Sequence, residues 1–175
     1  MPKTNPNKSK LIMFSGPPGV GKSTLSYRLA RETGIAILTK DQIERTLLTS
    51  NLASETGRLA YDLLIETAEF NMQRGASLIL DAVFGTNNLR DLFIRQAAAN
   101  NAAFYGIDCI CSDKGLWQSR LATRPEMVPG WQPAAWTDSL RVQNYYEEWA
   151  YPHLTLDAVD SFESNYKKLL AYLAQ

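Results

Sequence analysis

Apolar residues in this chain come in short runs, and helical patterns fill the gaps between them. "KLIMF" (10–14), "IAILT" (35–39), "ASLILD" (76–81), "AAFYGIDCIC" (102–111) and "HLTLDA" (153–158) are brief, rich in branched residues and bounded by glycine or polar residues. They read as strands buried in a sheet, the fourth interrupted at Gly106. Between them, Leu25, the aliphatic stem of Arg28 and Leu29 recur at helical spacing in "STLSYRLARETG", which Gly34 ends. Helices are also expected over 41–50, 54–75, 88–101, 112–124 and 137–149. In the longest, Leu59, Leu63, Phe70 and neighbouring alanines supply the apolar stripe. The last helix follows Asp160, which with Glu163 has capping-box spacing. Residues 125–136 carry Pro125, Pro129 and Pro133 and are expected to be irregular. Strand and helix alternate throughout, which predicts an α/β fold with a mainly parallel sheet.

At 175 residues, with 45% apolar and 21% charged side chains, the chain fits one domain with a real core. The expected division is a flexible tail over 1–9 and a single domain over 10–175. Lys plus Arg balances Asp plus Glu. Bulk attraction to nucleic acid or membrane is therefore not expected, although a local basic patch remains open. The N-terminus has no apolar signal-like region, and no run is long enough to span a bilayer, so a cytoplasmic protein is expected. Cys109 and Cys111 alternate on one strand and read as small buried side chains.

In such sheets ligands bind beyond the carboxyl ends of the strands. After the first strand comes "GPPGVGKST", Gly16-Pro17-Pro18-Gly19-Val20-Gly21-Lys22-Ser23-Thr24. It fits G-x-x-x-x-G-K-[ST]. Glycines let backbone N–H groups converge on an anion, and the helix start adds its positive dipole end. Lys22 reaches the β- and γ-phosphates, and the Ser23 hydroxyl suits Mg²⁺. After the second strand stands Asp41, a candidate general base for an attacking hydroxyl and, without excluding that, a candidate helix cap. Lys40 and Arg45 flank it and are candidates to hold an anionic part of substrate or product. After the third strand stands Asp81, in the position of a metal-organising carboxylate. Ala82 follows it, so the second acid of motor ATPases is missing. After the fourth strand, Arg120 and Arg124 lie four apart on one helix face and lead into the proline-rich segment. A lid over about 120–136 would look like this, bringing positive charge to a moving phosphoryl. Trp131 and Trp136 are candidates to stack on a substrate ring, with packing as the alternative. His153, the only histidine, has no nucleophile in its context.

A GTPase needs D-x-x-G after the third strand and a late base-reading N/T-K-x-D, and neither appears with the right spacing. A motor ATPase needs a longer chain and paired acids. A compact kinase needs a phosphate loop, a base, a metal acid and a lid with arginines, in that order. "LIMFSGPPGVGKSTLSYRLA…ILTKDQIERTL…LILDAVF…LWQSRLATR…YPHLTLD" resembles the small P-loop kinases grouped with zeta toxins, polynucleotide 5′-kinases and chloramphenicol phosphotransferases, over about residues 10–175. The resemblance implies a five-stranded parallel sheet of order 2-3-1-4-5, with ATP and Mg²⁺ held at Lys22 and Ser23. It implies Asp41 as the acceptor base, and Arg120 and Arg124 as lid arginines. Many relatives carry Arg three residues after the base, where this chain has Glu44, with Arg45 next. A Glu there disfavours an anionic acceptor. The expected activity is therefore transfer of the γ-phosphoryl of ATP to a small-molecule hydroxyl. A nucleic-acid 5′-hydroxyl kinase and a non-transferring nucleotide-binding or regulatory protein of toxin–antitoxin type are the alternatives.

Overall fold

The structure is a computed structural model that describes residues 8–50, 56–123 and 134–175. Within these, the chain runs β1 (Lys10–Ser15), α1 (Lys22–Thr33), β2 (Ala36–Thr39), α2 (Lys40–Thr49), α3 (Thr56–Met72), β3 (Leu78–Asp81), α4 (Asn87–Ala99), β4 (Ala103–Ile110), α5 (Lys114–Ala122), α6 (Trp136–Gln143), β5 (Leu154–Asp157) and α7 (Phe162–Leu173). The five strands form one parallel sheet of order β2-β3-β1-β4-β5. The sheet order is the one the resemblance implied.

β1 lies at the centre, and its alternating side chains divide the core. Ile12 and Phe14 face Leu25, Leu29, Ile107, Trp117 and Leu169 on one side. Leu11 and Met13 face Leu64, Met72, Leu80 and Phe93 on the other. Both faces of the strand are buried because crossover helices cover both faces of a parallel sheet. The register pairs Phe14 with Asp81, and Thr39 with Asp81 on the other side of β3. The carboxyl ends of β1, β2 and β3 therefore finish level, and the loops leaving them meet.

Several sequence expectations need correction. The buried stripe of α3 differs from the expected one. Leu59, Leu63 and Phe70 are exposed, whereas Thr56, Ala60, Leu64, Ala68 and Met72 are buried. Small alanines on the inner face let α3 approach α2 and the sheet. β4 is continuous through Gly106, because the strand needs a bare Cα there. A Cβ would lie 2.5 Å from the Trp149 ring. Helix α6 ends at Gln143, short of the expected 149, and "NYYEEW" becomes a turn across the sheet end. Ser161 caps α7, accepting the Ser164 N–H at 3.2 Å. Asp160 pairs with Lys168 instead. Among the described residues no helix is long and apolar enough to cross a membrane. Residues 1–7 of the expected tail lie outside the described residues, as do 124–133 of the expected lid, with Arg124 and Trp131.

Candidate active site

The phosphate loop is built from backbone that tolerates no Cβ at two points. Gly16 has φ +135°, and a Cβ on it would sit 2.1 Å from the Cys109 carbonyl oxygen. Gly19 has φ +83°, and a Cβ on it would sit 2.7 Å from the Leu121 side chain. Only glycine meets both demands. The loop feeds α1, whose cap Gly21 offers no side chain, so the first-turn N–H groups have no side-chain acceptor. Unmet donors at a positive helix end suit a phosphate. Lys22 Nζ donates to the Pro17 carbonyl at 2.8 Å and is partly exposed, within reach of the same space. Val20 is buried in the core and anchors the loop from below, while Ser23 is partly exposed and Thr24 exposed.

Three groups that the sequence did not single out hold this loop. Trp117, on α5, is buried and donates its indole N–H to the Pro18 carbonyl at 2.7 Å. Ser139, on α6, donates to the same oxygen at 3.3 Å. Ser15 Oγ lies 2.6 Å from the Tyr146 oxygen and 2.9 Å from the Val83 carbonyl oxygen, and Tyr146 donates to Asp108 at 2.6 Å. A cavity of about 270 Å³ beside the loop is lined by Pro17, Ile110, Cys111, Trp117, Gln143 and Tyr146. These links join residues far apart in the chain. Their only sequence signal is the density of aromatics in "NYYEEW".

At the end of β3, Asp81 is buried and accepts the Ser26 hydroxyl at 3.0 Å. Burial raises its pKa, opposed by the Lys22 ammonium and by hydrogen bonds from Ser23 and Ser26. The Asp41 charge adds to the rise. A buried acid that lies close to a P-loop serine and a lysine fits a Mg²⁺ site of few protein ligands completed by water and phosphate. Among the described residues no cluster of three His, Cys, Asp or Glu side chains forms a self-sufficient metal cage.

Beyond Asp81 the chain turns sharply. Phe84 is buried with φ +44°, a left-handed conformation that costs a bulky residue about 1–2 kcal/mol. Its N–H donates to the Tyr61 hydroxyl at 3.3 Å, and its carbonyl accepts Arg90 Nε at 2.8 Å. Arg90 is fully buried and has no carboxylate partner among the described residues. It also donates to Asn87 and the Glu147 carbonyl, between the rings of Tyr146 and Trp149. The turn that follows Asp81 is thereby fixed from both sides. Its Val83 carbonyl in turn accepts the Gly16 N–H at 3.1 Å.

Asp41 lies in the first turn of α2 and is exposed. The helix cap is Thr39, so Asp41 does not hold the cap position. Glu44 is half-buried and does not stand free. One of its oxygens pairs with Lys40, and the other accepts the Thr56 hydroxyl at 3.0 Å. Arg45 is half-buried and makes no ion pair among the described residues. Arg120, in the last turn of α5, is exposed and donates to the Ala158 carbonyl at 2.9 Å, at the end of β5. Trp136 packs edge-on against Trp117 with ring centroids 5.0 Å apart. His153 stacks on Trp149, away from the carboxylates. Cys109 and Cys111 are free and buried in the core; burial pushes both thiols up.

The chain is similar to several known proteins. A cytidylate kinase of Aeropyrum pernix is 27% identical over 173 residues, covering 90% of this chain and 95% of its own. An uncharacterized protein of Mycobacterium tuberculosis is 29% identical over 113 residues, and this chain spans 23% of its length. The crystal structure of a candidate kinase from Chloroflexus aurantiacus superposes with a TM-score of 0.72 at 22% identity, covering 94% of this chain and 98% of that one. Residues 11–141 match the family AAA_33, described as an AAA domain. The chain belongs to the family AAA_33 and has the fold of the kinase structure it superposes on.

Proposed function

We propose that this protein binds ATP with Mg²⁺ and transfers the γ-phosphoryl to a hydroxyl of a small molecule. The supporting observation is the level finish of β2, β3 and β1, which brings Asp41, Asp81 and Lys22 to one sheet end. Lys22 would exchange the Pro17 carbonyl for phosphate oxygens, and the α1 N–H groups would cradle the rest. Ser23 and Asp81 would hold Mg²⁺, which supplies charge neutralisation for the phosphates. Asp41 would accept the proton of the attacking hydroxyl. Arg120 would add positive charge from the β4 side when nucleotide is bound.

The cytidylate kinase relative raises a second reading, in which the acceptor is a nucleotide phosphate. Such an acceptor needs cations, and Arg45 is the candidate. Against it, Lys40 is paired with Glu44, and Arg90 is committed to carbonyls and rings. The test is ADP release with Mg²⁺-ATP in the presence of glucose, cytidine, cytidine monophosphate or a 5′-hydroxyl oligonucleotide. Stimulation by glucose or cytidine supports the alcohol reading, and stimulation by the monophosphate alone replaces it with the second. Stimulation by the oligonucleotide alone makes the chain a nucleic-acid kinase. ATP binding without any stimulation leaves a nucleotide binder that transfers nothing.

A further inference from the structure

Helices α2 and α3 pack together beside the sheet end. Lys40 Nζ sits 5.7 Å from the centre of the Tyr61 ring, and Glu44 is tied to Lys40 and to Thr56 at the start of α3. The Tyr61 oxygen, on α3, receives the N–H of Phe84, which follows Asp81 by three residues. Its own proton has no acceptor among the described residues. Asp41, next to Lys40, has a carboxylate with no hydrogen-bond donor among the described residues. Burial pushes the Tyr61 phenol far up, the Phe84 N–H opposes this, and the charges of Asp41 and Glu44 add to it. The phenol therefore stays protonated and acts as a donor. One unspent donor and one unspent acceptor thus lie at the ends of adjacent strands, with the nearby Glu44 already satisfied.

We propose that Tyr61 and Asp41 together hold the reacting oxygen of the acceptor, and that this pair selects an alcohol. The phenol O–H donates to one lone pair of the alcohol oxygen. The alcohol proton passes to Asp41. The remaining lone pair forms the new bond to the γ-phosphorus as the bond to the ADP oxygen breaks, and ADP leaves with that electron pair. A phosphate or carboxylate anion brings no proton for Asp41 and meets its charge directly. This rests on the alcohol-kinase reading and gives Tyr61 contact with substrate.

The test uses the full chain with Mg²⁺-ATP, with glucose and cytidine as probe alcohols and water as the simplest hydroxyl acceptor. Tyr61→Phe keeps the ring against Phe84 and removes the hydroxyl, which also takes the acceptor of the Phe84 N–H. Transfer to the probe, and to water, should fall about three- to tenfold, the loss of one neutral hydrogen bond. ATP affinity should stay within twofold. Combined with Asp41→Asn, the losses should be less than multiplicative, because both groups act on one oxygen. Transfer within about 1.5-fold of wild type overturns the assignment, and so does a parallel fall in ATP affinity and transfer, which marks a structural role. If ADP release by wild type responds to no alcohol, the alcohol reading falls and takes this pair with it. That outcome appears before any variant is made and is distinct from a failure of Tyr61.

Discussion

The indole N–H of Trp117 donates to the Pro18 carbonyl at 2.7 Å, tying helix α5 to the tip of the phosphate loop. Trp117 is also the largest fully buried side chain among the described residues. Position of the loop and integrity of one core face thus depend on the same residue. Trp117→Phe should cost about 1–3 kcal/mol in chemical denaturation, from a lost hydrogen bond and a smaller ring. ATP affinity should weaken as well, since the loop loses a brace. Unchanged affinity by fluorescent-nucleotide titration would show that the loop holds its shape without α5.

Lys22→Ala should abolish tight ATP binding while leaving the melting temperature nearly unchanged. Among the described residues Lys22 makes one hydrogen bond, to Pro17, and it is partly exposed. The check is isothermal titration with Mg²⁺-ATP next to a melting curve. ATP affinity within threefold of wild type would remove Lys22 from the phosphate site.

Asp81 is expected to lower stability at neutral pH for the sake of binding. Burial lifts its folded pKa above the ordinary value, so the folded state holds the proton more tightly than the unfolded state does. Its favourable contribution is present below the ordinary aspartate range and is lost as pH rises through the raised value. Metal-free Asp81→Asn should therefore melt higher than wild type at pH 7, with the gap closing as pH falls. The same variant should lose Mg²⁺-dependent ATP binding. A lower melting point at pH 7 would mean that the bond from Ser26 outweighs desolvation.

Arg120→Ala should lower turnover more than ATP affinity, because positive charge matters most as the phosphoryl moves. Its resting bond to the Ala158 carbonyl lies at the surface. Equal loss in both parameters in steady-state kinetics would reduce it to a tether between α5 and β5.

Much of this fold and site is legible in the sequence. The strand runs end where polar or glycine residues interrupt them, and the phosphate loop is a continuous motif, so β1, α1 and the residues after each strand could be located. The inner face of α3 could not, because Leu59, Leu63 and Phe70 are more apolar than Ala60 and Ala68. Close packing against α2 and the sheet selects the smaller residues. Asp160 and Ser161 are both good caps, and helix register chose the second. Trp117 and Pro18 stand 99 residues apart, so no local pattern announces their bond. The Tyr61 hydroxyl likewise gains its meaning only from Phe84, on another element.

The central claim is that this is a kinase with Asp41 as its base, and Asp41→Asn tests it most directly. The substitution keeps size and shape, and the helix cap is Thr39, so α2 should be undisturbed. ATP and Mg²⁺ should still bind, since Lys22, Ser23 and Asp81 are intact. Phosphorylation of the acceptor should fall by roughly 10²–10⁴-fold, the range of general-base catalysis, which is about 3–5 kcal/mol of barrier. Hydrolysis of ATP by water, the simplest acceptor of the same base, should fall with it. The measurement compares product formation and nucleotide affinity in wild type and variant. A fall of less than about threefold in a folded variant, far below the general-base range, would contradict the account and leave Asp41 as a surface residue of a helix start.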